Sequence, residues 1–162
     1  MNARLTLVSC AAVVAAAAVS FAADMPGHTM VTADKIVWGP APPGLPPGSQ
    51  AAVIYGDPGK PGSFTLRAML PAGYRIAPHW HPTDEHLTVL SGSIAMGTGE
   101  TWDDKALMAM PTGAFMGMAA QTRHYLLAKT AAVIQVHGTG PFAINYVNPK
   151  DDPRTAAAAA TK

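Results

Sequence analysis

Four side chains in this 162-residue chain have the types and spacing to hold a divalent metal: His79, His81, Glu85 and His124. His79 and His81 are two residues apart, so on a strand they project from the same face. Glu85 follows with matching parity, provided Pro82-Thr83-Asp84 keeps the register, and it is one of only two glutamates in the chain. Three imidazoles and one carboxylate suit a borderline divalent ion such as Mn, Fe, Co, Ni, Cu or Zn. Four protein ligands on a metal that can take six leave two positions for water and substrate. That arrangement fits catalysis better than a closed structural site.

Short strands must position these residues. Phe64, Leu66, Ala68 and Leu70 alternate with Thr65, Arg67 and Met69, the period of a half-buried strand. Similar segments are predicted over 51–55, 74–77, 85–90, 93–97, 106–110, 114–118, 124–128, 131–137 and 142–147, and nearly every break carries Gly or Pro. No long amphipathic helix and no repeat interrupts them, so the pattern predicts an all-β barrel or sandwich spanning residues 51–149. Ahead of it lie a polar leader, a short strand over Ile36–Trp38 and an arm from Gly39 to Gly48 with five prolines. Such an arm cannot be helical and is expected to lie extended along the domain. From residue 150 the chain is expected to be a disordered tail.

At the other end, Arg4 and the nearly unbroken apolar run Leu5–Val19 lead into Ser20-Phe21-Ala22, with small residues at the −3 and −1 positions. This is the pattern of a bacterial signal peptide over residues 1–22, cleaved before Ala23. The run is short for a transmembrane anchor, and it extends too far past Cys10 for a lipoprotein box. Cleavage removes Cys10, the only cysteine, so multi-thiolate zinc sites and internal disulfides are excluded. The expected location is periplasmic or secreted, with no membrane attachment after cleavage. With 11 Lys+Arg against 10 Asp+Glu there is no basic excess to neutralise phosphates, and nucleic acid is not an expected partner.

The spacing Gly73-x5-His79-x-His81-x3-Glu85-x6-Gly92 resembles the first motif of the cupin superfamily at every defined position. A second cupin motif, Gly-x5-Pro-x-Gly-x2-His-x3-Asn, is matched by Gly113 and His124, with Ala119, Gln121 and Ala128 replacing Pro, Gly and Asn. The run from Val133 to Phe142 and then Tyr146 to Pro149 is similar to small, exported, single-domain bacterial cupins. The resemblance implies a double-stranded β-helix, a jelly-roll barrel, with one metal held inside by His79, His81, Glu85 and His124. It also implies a second role for Glu85 as a catalytic base. Replacement of Pro and Gly ahead of His124 alters the turn that presents this ligand.

Other residues are weighed by strand parity. His86 follows Glu85 and is expected to face away from the site. Gln135 and His137 share one face of a late strand and could reach the barrel interior to orient a ligand; the alternative is a structural pair. Tyr74, Arg75 and Tyr125 could line the mouth. Met96, Met108, Met110, Met116 and Met118 are expected to fill the core, and Met25-x2-His28-x-Met30 has the spacing of a soft-metal loop. Two functions follow. The leading one is a metal-dependent, dioxygenase-like oxidoreductase acting on a small organic substrate. The other is a non-catalytic metal- or ligand-binding module or sensor, with homodimerisation left open in both. A deep apolar pocket at the metal favours the enzyme; a barrel plugged by methionines favours binding.

Overall fold

The computed structural model describes residues 27–155. The signal segment, Met25 and the end of the tail lie outside the described residues. Eleven strands form two antiparallel sheets. One contains β1 (Gly39–Pro40), β2 (Gln50–Tyr55), β3 (Gly62–Leu70), β10 (Ala132–Gly140), β5 (Glu85–Ser91) and β8 (Phe115–Met118), in that order. The other runs β11 (Asn145–Tyr146), β4 (Arg75–Trp80), β9 (His124–Ala128), β6 (Ser93–Thr98) and β7 (Met108–Pro111). From β3 onward, every connection except the β6–β7 hairpin passes from one sheet to the other. That crossing pattern is the expected jelly-roll barrel.

The period-2 pattern explains which side chains fill it. Phe64, Leu70, Leu87, Val89, Ile94 and Leu126 point between the sheets and form one buried cluster. Met96, Met110 and Met118 join this core, Met116 packs against it, and Met108 is exposed. Four of the five strand methionines therefore serve packing, while Met108, expected in the core, lies on the outside near the sheet edge. Among the described residues, no helix is long and apolar enough to cross a membrane.

Several elements differ from expectation, the proline arm among them: it folds into turns, with the Leu45 N–H donating to the Pro42 carbonyl (2.9 Å), instead of running extended. The first strand is Gly39–Pro40 rather than Ile36–Trp38, paired with Gln50 and Ala51; Pro40 has no N–H, which suits the sheet edge. The expected strand over 142–147 shrinks to Asn145–Tyr146, because residues 142–144 leave the ladder to cover the interior. The tail also stays ordered beyond residue 150. Pro149–Asp151 form a turn capped by Asn148, and Arg154 pairs with Asp152 while donating to the Ile144 carbonyl (3.0 Å).

The glycines of the first motif do different work. Gly92, between β5 and β6, has φ +74°, and a Cβ there would run into the carbonyl of Ala131. Gly73 has φ +79° but faces open space. Gly73→Ala is expected to cost about 1 kcal/mol from the left-handed backbone alone. Gly92→Ala should cost clearly more, because backbone must also move, and urea denaturation of the two variants measures the difference.

Candidate metal centre

His79 and His124 face each other across the β4–β9 ladder, with ring centroids 4.1 Å apart. A register shift makes this pairing work. Ile76 opposes Leu126 and His79 opposes His124, so three residues of β4 span two of β9. The extra residue is a β-bulge at Ala77-Pro78, where proline offers no N–H to the ladder. It allows Ile76 and His79, an odd number of residues apart, both to face inward. It also frees the Ala77 carbonyl, which accepts from His79 Nδ1 (2.8 Å).

The other imidazoles are held in the same way. His81 Nδ1 donates to the Ala143 carbonyl (2.8 Å), and His124 Nδ1 donates to the Thr122 carbonyl (3.0 Å). A carbonyl only accepts, so each Nδ1 carries a proton, and in the neutral ring that leaves Nε2 with an inward lone pair. One ligand atom from each of the three histidines lies within 4.8 Å of the others. Glu85 reaches the group from the opposite sheet, its Oε2 3.3 Å from His124 Nε2 and 3.4 Å from His81 Nε2. All four residues are buried, between 2% and 6% exposed.

Such a cluster could hold a cation. Burial raises the Glu85 carboxyl, but His124 and His81, when their Nε2 atoms are protonated, outweigh it and hold the group well below the usual carboxylate range. Desolvation pushes His79 down to about 3, and a proton on His124 or His81 would push it the same way, so this ring stays neutral. The Nε2···Oε2 separations exceed the 2.7–2.9 Å typical of charge-assisted hydrogen bonds, and His81 Nε2 and Glu85 Oε2 are buried without a hydrogen-bond partner. A divalent metal satisfies these acceptor atoms together, and carbonyl-anchored imidazoles are the usual outer support of such ions.

The turn before His124 survives the loss of its motif glycine. Gln121 occupies that position with φ +64°, and its N–H donates to the His81 carbonyl (2.8 Å). The segment carrying one histidine is thereby tied to another. Glutamine tolerates the left-handed region at a cost of about 1 kcal/mol.

Above the cluster opens a cavity of ≈ 230 Å³. Its walls are aliphatic side chains such as Leu66, Ile76 and Val136, with Phe142 stacked on His81 at 4.2 Å. The proline arm contributes Pro42 and Leu45. The Tyr146 hydroxyl donates to the Gly44 carbonyl (2.9 Å), and the Tyr74 hydroxyl donates to the Pro46 carbonyl and contacts Ser49 Oγ (2.8 Å), latching the arm down. Burial pushes both phenols up, so they remain hydroxyl donors. Methionine does not plug this space; only Met96 reaches it.

The remaining candidates lie elsewhere. His86 faces outward, stacked on His137 (5.0 Å) and Phe115 (6.1 Å). Gln135 accepts from Arg67 Nε (3.0 Å) on that same outer face, so the Gln135/His137 pair does not reach the interior. Tyr74 holds the arm, Arg75 lies over Trp102 and pairs with Asp104, and Tyr125 is buried beside Trp102; none lines the cavity. Of the proposed soft-metal loop, Met30 is exposed and Met25 is outside the described residues. Phe142, Ala143 and the arm residues carry no signal in the sequence, because distant segments bring them to the site.

Solved structures settle the architecture. The polyketide cyclase RemF from Streptomyces resistomycificus superposes with a TM-score of 0.63 at 14% identity, over 81% of this chain and 93% of that one. A protein from Methylibium petroleiphilum assigned as an acetylacetone dioxygenase gives 0.59 at 21% identity, over 82% and 93%. An RmlC-like cupin from Shewanella frigidimarina gives 0.53 at 9% identity, over 67% and 87%. The chain has the cupin fold. No protein-family model and no curated protein matches this chain in sequence.

Protonation of His79 should be visible in the metal-free cupin. An imidazole titrating near 6.5 when unfolded and about 3 when folded binds its proton preferentially in the unfolded chain between those values. Stability is therefore expected to fall as pH is lowered below about 6.5, by at most about 1.4 kcal/mol per pH unit from this group. Glu85, with its folded value lowered, adds its own loss only below about 4.5. Urea midpoints between pH 7 and 5 should decline less steeply in His79→Gln than in the parent.

Proposed function

We propose that His79, His81, His124 and Glu85 hold one divalent transition metal and that this exported cupin is a metal-dependent, dioxygenase-like enzyme acting on a small organic molecule. The observation that carries the reading is the convergence of four acceptor groups, their tautomers locked, at the wall of an apolar cavity roomy enough for a substrate. The named activities of two fold relatives, a polyketide cyclase and an acetylacetone dioxygenase, lie in the same direction. A metal bound there supplies Lewis acidity and, if redox-active, a route for electrons to dioxygen. The chain's own groups do the rest. The carbonyl-anchored imidazoles keep their Nε2 atoms aimed inward, and the hydrocarbon walls exclude water. Glu85 is the one carboxylate in the cavity and would accept a proton from a bound substrate at Oε2.

Metal content per chain after identical loading and dialysis tests the ligand set. His79→Ala should lose most of the bound metal. Glu85→Gln should fold normally but change metal selectivity or activity, since it removes the only anionic ligand. His86→Ala should retain the full complement, and equal losses at His86 and His79 would refute the assignment. Oxygen uptake by the iron-loaded protein over a panel of small organic compounds separates the enzyme from a binding module. Uptake no faster than the metal-free blank, with iron bound, favours the binding module.

Export is proposed on the N-terminal pattern alone. Protein recovered from its native host should show a mass beginning at or near Ala23. An intact Met1 on soluble cytoplasmic protein would count against it.

A further inference from the structure

Successive backbone N–H groups in the turn before His124 reach across to one short segment of chain. The Ala119 carbonyl accepts from the Thr122 N–H (3.1 Å), closing a β-turn with Ala120 and Gln121 at its centre. Both central N–H groups find their partners outside the turn. That of Ala120 donates to Asp84 Oδ1 (2.8 Å), and that of Gln121 donates to the His81 carbonyl (2.8 Å). Both acceptors lie in the crossing over residues 81–84, which leads from β4 to β5.

The crossing is itself pinned. Gly138 of β10 lies so close to it that a Cβ there would sit 2.6 Å from the Asp84 carbonyl oxygen. His81 opens the crossing and Glu85 follows it, so its position sets that of two groups of the cluster. On the other side of the clamp, Thr122 supplies the carbonyl that accepts from His124 Nδ1 (3.0 Å). One exposed side chain, that of Asp84, thus joins the segment carrying two clustered residues to the turn that aims a third.

This turn has to be held. Gln121 has φ +64° at the position where such a turn favours glycine, so its backbone gains by relaxing. An N–H donating to a carboxylate is a charge-assisted bond, strong enough to oppose that tendency. The Arg123 Nη1 contact with the Gln121 carbonyl (2.7 Å) is local and moves with the turn. Without Asp84, only the His81 carbonyl would tie the turn to the crossing.

Building on the metal reading above, we infer that Asp84 is a positioning residue for His124. Its carboxylate holds the 119–122 turn against the crossing, compensates for the glycine that Gln121 replaces, and thereby sets how tightly the site binds a metal. Asp84 acts through the backbone, as an acceptor, and its charge is not itself required.

Cobalt(II) is the probe, because its visible bands report both occupancy and ligand geometry. Asp84→Ala should bind cobalt about tenfold more weakly than the parent, the low end for lost outer support of a metal ligand. Asp84→Asn keeps an oxygen acceptor and should stay within about threefold of the parent. Gln121→Gly should bind as the parent does. Adding Asp84→Ala to it should then cost no more than about threefold, since glycine adopts the left-handed turn unaided. The metal-free protein gives a separate readout. Amide exchange at Gln121 should quicken about tenfold in Asp84→Ala, although its own acceptor, the His81 carbonyl, is untouched. Asp84→Ala binding cobalt as tightly as the parent, or Asp84→Asn binding as weakly as Asp84→Ala, would overturn the inference. An undiminished loss in the Gln121→Gly background would refute the compensation for the missing glycine. A parent that takes up no cobalt would defeat the metal reading instead. Exchange at Gln121 would then decide the clamp, and an unchanged rate in Asp84→Ala would rule it out.

Discussion

Three imidazole lone pairs and a carboxylate turned towards one another inside a hydrocarbon barrel form the constraint on which the rest of the structure depends. With all three rings neutral they repel, because each Nδ1 is already committed to a backbone carbonyl and no Nε2 then has a proton to offer a neighbour. The surrounding chain keeps them there nonetheless. The Ala77-Pro78 bulge turns His79 inward and supplies the carbonyl that locks it, Gln121 accepts a left-handed backbone to tie its turn to His81, and residues 142–144 abandon their strand so that Ala143 can hold His81. Each is a local departure from regular structure, and each serves the same cluster. Departures of this kind gather where a site over-determines its surroundings.

Among the described residues, the buried carboxylate and the fully buried imidazoles are confined to this one spot. The sheets meet through Phe64, Leu70, Leu87 and Ile94, and the space left between them near the histidines is walled by more of the same chemistry. A metal held at that boundary would act in surroundings of low polarity, where electrostatic effects on a bound molecule are stronger than in water. The proline arm extends that environment outward. Its backbone turns over 43–45 and 47–48 and offers two carbonyls, those of Gly44 and Pro46, to buried tyrosine hydroxyls, so the arm is fastened by its own main chain while Pro42 and Leu45 remain available to the cavity.

The two faces of the larger sheet show how sharply alternation divides labour. Glu85 and His86 are consecutive, yet one joins the buried histidine cluster and the other stacks between His137 and Phe115 on the outside. Arg67 and Gln135 continue that outer row with a hydrogen bond between strands. An imidazole in this chain is thus a candidate ligand or a surface residue according to which side of one pleat it occupies.

Local pattern was enough to determine the strands, the outward turn of His86 and the identity of the four clustered residues, because side-chain alternation and motif spacing are properties of short segments. Spacing did not reveal how those residues meet. His79 and His81 were expected to share a strand face with Glu85, whereas Pro82-Thr83-Asp84 carries the chain from one sheet to the other and the carboxylate arrives from the opposite wall. Nor could alternation say which face of β10 is the inner one; pairing with β3 and β5 sends Ile134 and Val136 inward and leaves Gln135 and His137 outside. The tautomers, the Phe142 lid on His81 and the arm's place in the cavity wall likewise depend on segments far apart in the chain. Parity is decided within a few residues, but the sheet a strand joins, and what then covers it, is decided only when the whole barrel closes.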